Sequence, residues 1–109
     1  MQEFIIVYVT AGSPAEGERL ARALVDERLA ACVNRIATVQ SVYRWEGKLE
    51  QSEEQLLIIK TQKRLFAALE KRVRELHSYS VPEIVALPII DGSQDYLLWL
   101  GDQTNDGTV

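Results

Sequence analysis

Two short runs, Ile5-Ile6-Val7 and Leu56-Leu57-Ile58-Ile59, constrain this chain more than anything else in it. Both are apolar at consecutive positions, and successive side chains of a strand point to opposite faces of its sheet. Such strands are therefore covered on both sides. At 109 residues the chain is one domain, with too few residues for helices on both faces. A partner subunit is the economical cover. The charge balance, 12 Lys+Arg against 16 Asp+Glu, excludes a duplex nucleic-acid binder, which needs a basic face. The single cysteine, Cys32, excludes an intrachain disulfide. Met1-Gln2-Glu3-Phe4 is acidic where a signal peptide is basic, and no apolar run approaches membrane-spanning length. The expectation is a soluble cytoplasmic protein with neither nucleic-acid nor membrane partners.

The chain reads as alternating elements. Phe4 to Thr10 is a β-branched and aromatic strand. Ser13-Pro14-Ala15-Glu16 starts a helix: Ser13 caps it, Pro14 takes the first position, and Glu16 closes a capping box. Leu20, Ala21 and Leu24 form its apolar stripe, with an end expected near Leu29. A second strand opens at Cys32-Val33-Asn34 and continues through Val39, Val42, Tyr43 and Trp45 to a turn at Glu46-Gly47. The return strand runs from Lys48 to Thr61, so both arms exceed the usual ~5–6 residues and the hairpin projects. Leu65, Phe66, Leu69, Val73 and Leu76 mark a helix ending at His77. Ile84 to Leu87 is a strand that Pro88 confines to an edge or a bulge, and a short helix follows around Tyr96 to Leu100. The order β-α-β-β-α-β plus a terminal helix predicts an α+β, ferredoxin-like domain over residues 1–101, with both main helices on one sheet face. Residues 102–109 are polar and expected to form a flexible tail.

Several strings, in order, carry a specific resemblance: Ala30-Ala31-Cys32-Val33-Asn34, Ser41-Val42-Tyr43-Arg44-Trp45-Glu46-Gly47-Lys48, Ile58-Ile59-Lys60-Thr61 and His77-Ser78-Tyr79-Ser80-Val81-Pro82-Glu83-Ile84. With Ala86-Leu87-Pro88-Ile89, Gly92 and Tyr96-Leu97-Leu98-Trp99-Leu100, they make the chain similar to the CutA family of divalent-cation tolerance proteins from about Phe4 to Leu100. The resemblance implies a homotrimer of ferredoxin-like protomers, related in architecture to P-II signalling proteins. It implies a role in tolerance of copper and other divalent cations, with no established chemical reaction. Some members of the family use a first-strand Cys and two adjacent His as metal ligands. The matching positions here are Val9, Leu76 and His77, so two of the three ligands are missing.

The candidate ligand region is an intersubunit cleft built from Lys60, His77, Tyr79, Glu83 and Trp45, with His77 the candidate metal ligand. Lys60 offers an anion partner or a salt bridge to Glu83 or Glu50. Glu83 is a carboxylate fixed by the preceding Pro82. Tyr43 and Trp45 share a strand face, to stack on a ligand or to pack on a neighbour. His77 serves as a ligand, or as a cation at a helix C-terminus. Cys32 reads as a small buried hydrophobe, and Glu46, Glu50, Glu53 and Glu54 as a solvated hairpin edge. No catalytic constellation is present, so the expectation is a non-enzymatic protein that requires no cofactor and binds copper(II) or zinc weakly at most. The alternative is a P-II-like trimeric scaffold acting through partner proteins without a specific metal site.

Overall fold

The computed structural model describes residues 3–105. Its elements are β1 (Phe4–Ala11), α1 (Pro14–Asp26), β2 (Cys32–Trp45), β3 (Lys48–Gln62), α2 (Phe66–Leu76) after a 3-10 turn at Lys63–Leu65, β4 (Ile84–Pro88) and α3 (Gln94–Gln103). The four strands form one sheet of order β2-β3-β1-β4, antiparallel throughout, which is the ferredoxin-like arrangement expected. Pro88 lies on the edge strand, where its missing N–H breaks no ladder. The helix start is also as read, with Ser13 accepting a hydrogen bond from the Glu16 N–H at 3.2 Å. The helix stops at Asp26 rather than Leu29, because Arg28 turns left-handed with φ of 60°.

The sheet has two unlike faces. Ile5, Val7, Val9, Leu57 and Ile59 point at the helices and join Leu20, Leu24, Leu69 and Val73 in one buried core. The alternate residues Ile6, Tyr8, Leu56 and Ile58 are only half-buried, and Val85 and Leu87 beside them are exposed. One correction concerns this second face: part of it is covered from within the chain. α3 packs across its Phe4–Gln62 end, where the buried Gln62 donates to the Thr104 hydroxyl at 2.8 Å. That contact also carries order past the expected boundary at 101. The helix runs to Gln103 and Thr104 is buried, while the rest of the expected tail, 106–109, lies outside the described residues.

The register slips once along the long hairpin, between Ile36 and Val39. Beyond the slip the hairpin outruns β1, whose last partner is Gln55, and extends the molecule to 49 Å against 26 and 22 Å in the other directions. Glu46 and Gly47 both have positive φ, 51° and 79°, the backbone of a type I′ turn.

Candidate functional site

The segment from His77 to Glu83 joins α2 to β4 and crosses the end of β1. Its first half is a closed hydrogen-bond knot. Glu16, which the sequence marks as a capping-box residue, does not return to its own cap. Its Oε1 accepts from the Gly12 N–H at 2.9 Å and its Oε2 from the Ser78 N–H at 2.8 Å, tying the β1–α1 turn to a residue 62 positions away. Burial alone would raise the Glu16 pKa. The hydrogen bonds from Gly12 and Ser78 outweigh it and hold the carboxyl below its ordinary value.

His77 completes the knot. A backbone N–H can only donate, so Nδ1 must accept from the Tyr79 N–H at 3.0 Å, and the ring proton sits on Nε2, donating to the Thr10 carbonyl at 2.7 Å. The side chain is fully buried. The expectation of His77 as a metal ligand therefore meets a ring with no free nitrogen: the Nδ1 lone pair is taken by the Tyr79 N–H and Nε2 carries the proton. With Val9 buried in the core and Leu76 in place of a second His, the residues present do not fit a copper or zinc centre. Among the described residues, no group of three or more His, Cys, Asp or Glu comes together to hold a metal ion.

The second half of the segment opens into a groove of about 620 Å³ against the projecting hairpin. Trp45 and Tyr43 line it from β2, Glu54 from β3, and Tyr79, Val81 and Glu83 from the segment itself. Three of the five expected site residues, Trp45, Tyr79 and Glu83, therefore meet; Lys60 and His77 do not line the groove. Lys60 stands six positions along β3 from Glu54, roughly 20 Å at the rise of a strand. There it donates to Asn34 Oδ1 at 2.6 Å, so it pairs with neither Glu83 nor Glu50 and cannot reach the groove. Cys32 lies on the same face, half-buried and 3.8 Å from the same Asn34 oxygen.

Glu54 is the residue that sequence reasoning misses. Its place among Glu46, Glu50 and Glu53 suggests a solvated edge, yet it is only 9% exposed and its Oε2 accepts from the Tyr79 hydroxyl at 2.8 Å. Period-two alternation is the available signal, since Glu54 shares a face with Leu56 and Ile58 while the exposed Glu53 points the other way. Burial first, then the Glu54 carboxylate, pushes the Tyr79 phenol well above its usual pKa, so it remains a donor at all ordinary pH.

The match to the family model of CutA1 divalent ion tolerance proteins spans residues 5–103. The chain is 48% identical over 102 residues to a chloroplastic CutA protein of Arabidopsis thaliana, covering 94% of this chain and 56% of that one. It is equally similar to a chloroplastic CutA 1 of Oryza sativa, covering 94% and 58%. It is 48% identical over 99 residues to the divalent-cation tolerance protein CutA of Thermus thermophilus, covering 91% and 96%. The chain thus spans little more than half the length of the plant relatives and nearly all of the Thermus one. Among solved structures, the Thermus protein superposes with a TM-score of 0.91 at 47% identity, covering 96% of this chain and 100% of that one. CutA1 from Oryza sativa superposes with 0.93 at 47% identity, covering 96% of each chain. These relatives overturn the expected cytoplasmic location. The plant proteins are chloroplastic, and a CutA of Archaeoglobus fulgidus at 40% identity is described as periplasmic, so kinship gives the cytoplasm no support. With nearly the whole length matched and the fold superposing throughout, the chain belongs to the CutA1 divalent ion tolerance protein family.

Proposed function

We propose that this divalent-cation tolerance protein is non-catalytic, works as a homotrimer, and acts by binding a ligand in the groove between its hairpin and the 79–83 segment, with a neighbouring copy closing the groove. The observation that carries the reading is the convergence of Trp45, Glu54, Tyr79 and Glu83, drawn from separate segments, on one concavity beside the fully satisfied knot. Assembly is supported by the apolar residues left uncovered on the sheet face away from the helices, Ile36, Val85 and Leu87. A small-molecule site at such a junction is of ordinary size for its class.

A second reading, a P-II-like scaffold acting through partner proteins, is favoured by one specific observation: Glu54 and His77 already have partners inside the chain. Calorimetric titration of the chelator-treated protein with copper(II), zinc and calcium, its mass followed by light scattering, separates the two. Saturation at one ligand per chain by an intact trimer, lost in Glu83→Gln, supports a binding groove. Unsaturable uptake at every ion, together with capture of a partner by the intact trimer, supports the scaffold.

A further inference from the structure

The chemistry of the groove selects among ligands. Two of its lining residues are carboxylates, Glu54 and Glu83, and no Lys, Arg or His lines it. Three others are aromatic, Tyr43, Trp45 and Tyr79, and within the single chain the first two are 43% and 46% exposed. Val42 and Val81 add apolar wall, and Thr10, Ser41 and Ser80 complete the lining with small hydroxyl residues. Of the two carboxylate oxygens of Glu54, only Oε2 accepts a hydrogen bond from the described residues, which leaves Oε1 of this mostly buried group without one.

A bare divalent ion suits this lining poorly. Calcium takes 6–8 oxygen ligands and magnesium a near-ideal octahedron, whereas most of this wall is ring and hydrocarbon. An anion would meet two carboxylates. A cation carrying an apolar body meets the charged and apolar parts of the lining with their complements: charge against the carboxylates and the negative ring faces, hydrocarbon against the valines. We infer that the groove binds an organic monocation, a substituted ammonium with an apolar or aromatic body, seated between Trp45 and Tyr43 and facing Glu54 and Glu83. This rests on the reading of the groove as the ligand site and adds the chemical class of the ligand.

The test uses the whole protein and three probes of similar size: phenyltrimethylammonium, the neutral 2-phenylpropan-2-ol, and benzoate. Each is titrated by calorimetry and by the fluorescence of Trp45 in a Trp99→Phe background. The expected result is saturation by phenyltrimethylammonium at one per chain, with binding at least tenfold weaker for the neutral probe and absent for benzoate. Trp45→Ala should abolish the binding, and Glu83→Gln should weaken it at least fivefold; both positions are exposed, so the fold should survive. Equal binding of the cationic and neutral probes, or binding untouched by Glu83→Gln, would overturn the cation assignment while leaving a binding groove. Silence to all three probes, with metal saturation still lost in Glu83→Gln, would refute the organic cation alone. Silence to the probes and unsaturable metal uptake together would remove the groove reading as well.

Discussion

The segment from His77 to Glu83 is short, yet its two halves have opposite chemistry. In the first, the hydrogen-bonding atoms of the Glu16 carboxylate and the His77 ring all have partners within the chain. In the second, aromatic and carboxylate side chains face an open groove. The difference teaches that the one histidine, the residue a metal hypothesis selects first, has both ring nitrogens already engaged within the chain. A buried group whose donors and acceptors are all matched stabilises the fold, whereas a ligand site must keep some of them unmatched. Turning from knot to groove within a few residues also explains how the groove keeps its shape. The Tyr79 backbone is pinned by His77 while its hydroxyl reaches Glu54.

The comparison can be broken most forcefully at its closed end. His77→Ala removes the partners of the Tyr79 N–H and the Thr10 carbonyl and leaves a cavity. The expected loss is about 3 kcal/mol, read as a lower urea midpoint. Glu16→Gln, which keeps the shape and weakens two backbone hydrogen bonds, should cost roughly 1–2 kcal/mol at pH 7. Its sign with pH is fixed. The folded carboxyl has a pKa below its ordinary value of 4.5, so the stabilisation is present above that pH and is lost as pH falls through the folded value. Wild type and Glu16→Gln should therefore converge in stability on acidification below 4.5, and a gap that stays constant as the pH falls would contradict the assignment.

Tyr79 bridges the halves, and Tyr79→Phe should cost about 1 kcal/mol. Its raised pKa gives a contribution that is full below the ordinary phenol value of 10 and lost as pH rises through the folded value. The Phe variant should accordingly lack that alkaline component of unfolding. At the open end, Trp45→Ala and Glu83→Gln should change protomer stability by less than about 0.5 kcal/mol, as surface changes do, while eliminating or weakening groove binding. Dissociation of the oligomer in either variant, seen by light scattering, would make these residues structural and erase the contrast. The smallest effect is expected at the hairpin tip, far from both halves. Glu46 adopts φ of 51°, where Asn is tolerated better, so Glu46→Asn should stabilise by a few tenths of a kcal/mol and leave binding unchanged.

What is legible in the sequence is what depends on period and local turn chemistry. Apolar, β-branched runs place the strands, Ser13 and Pro14 place the first helix, and Pro88 limits its strand to an edge or a bulge, of which the fold takes the edge. What escapes depends on tertiary approach. Glu16 announces a capping box by its spacing, but its second partner, Ser78, becomes a neighbour only when α1 and the end of α2 pack on one sheet face. Lys60 sits in a motif beside the other candidate residues, yet strand rise carries it along β3 away from them, to Asn34. His77 reads identically as a ligand or a structural ring until the two atoms it bonds are known. Glu54 lies between these cases, since the alternation that exposes Glu53 and buries Glu54 is already present in the order of residues.

The division between knot and groove is tested most directly by the ring nitrogens of His77, the one histidine of the chain. In protein labelled with ¹⁵N at histidine, the imidazole at neutral pH should show an unprotonated Nδ1 and a protonated Nε2. Both signals should stay in place when one equivalent of zinc per chain is added. A shift of either nitrogen that saturates at one equivalent would put zinc on His77 and contradict the account.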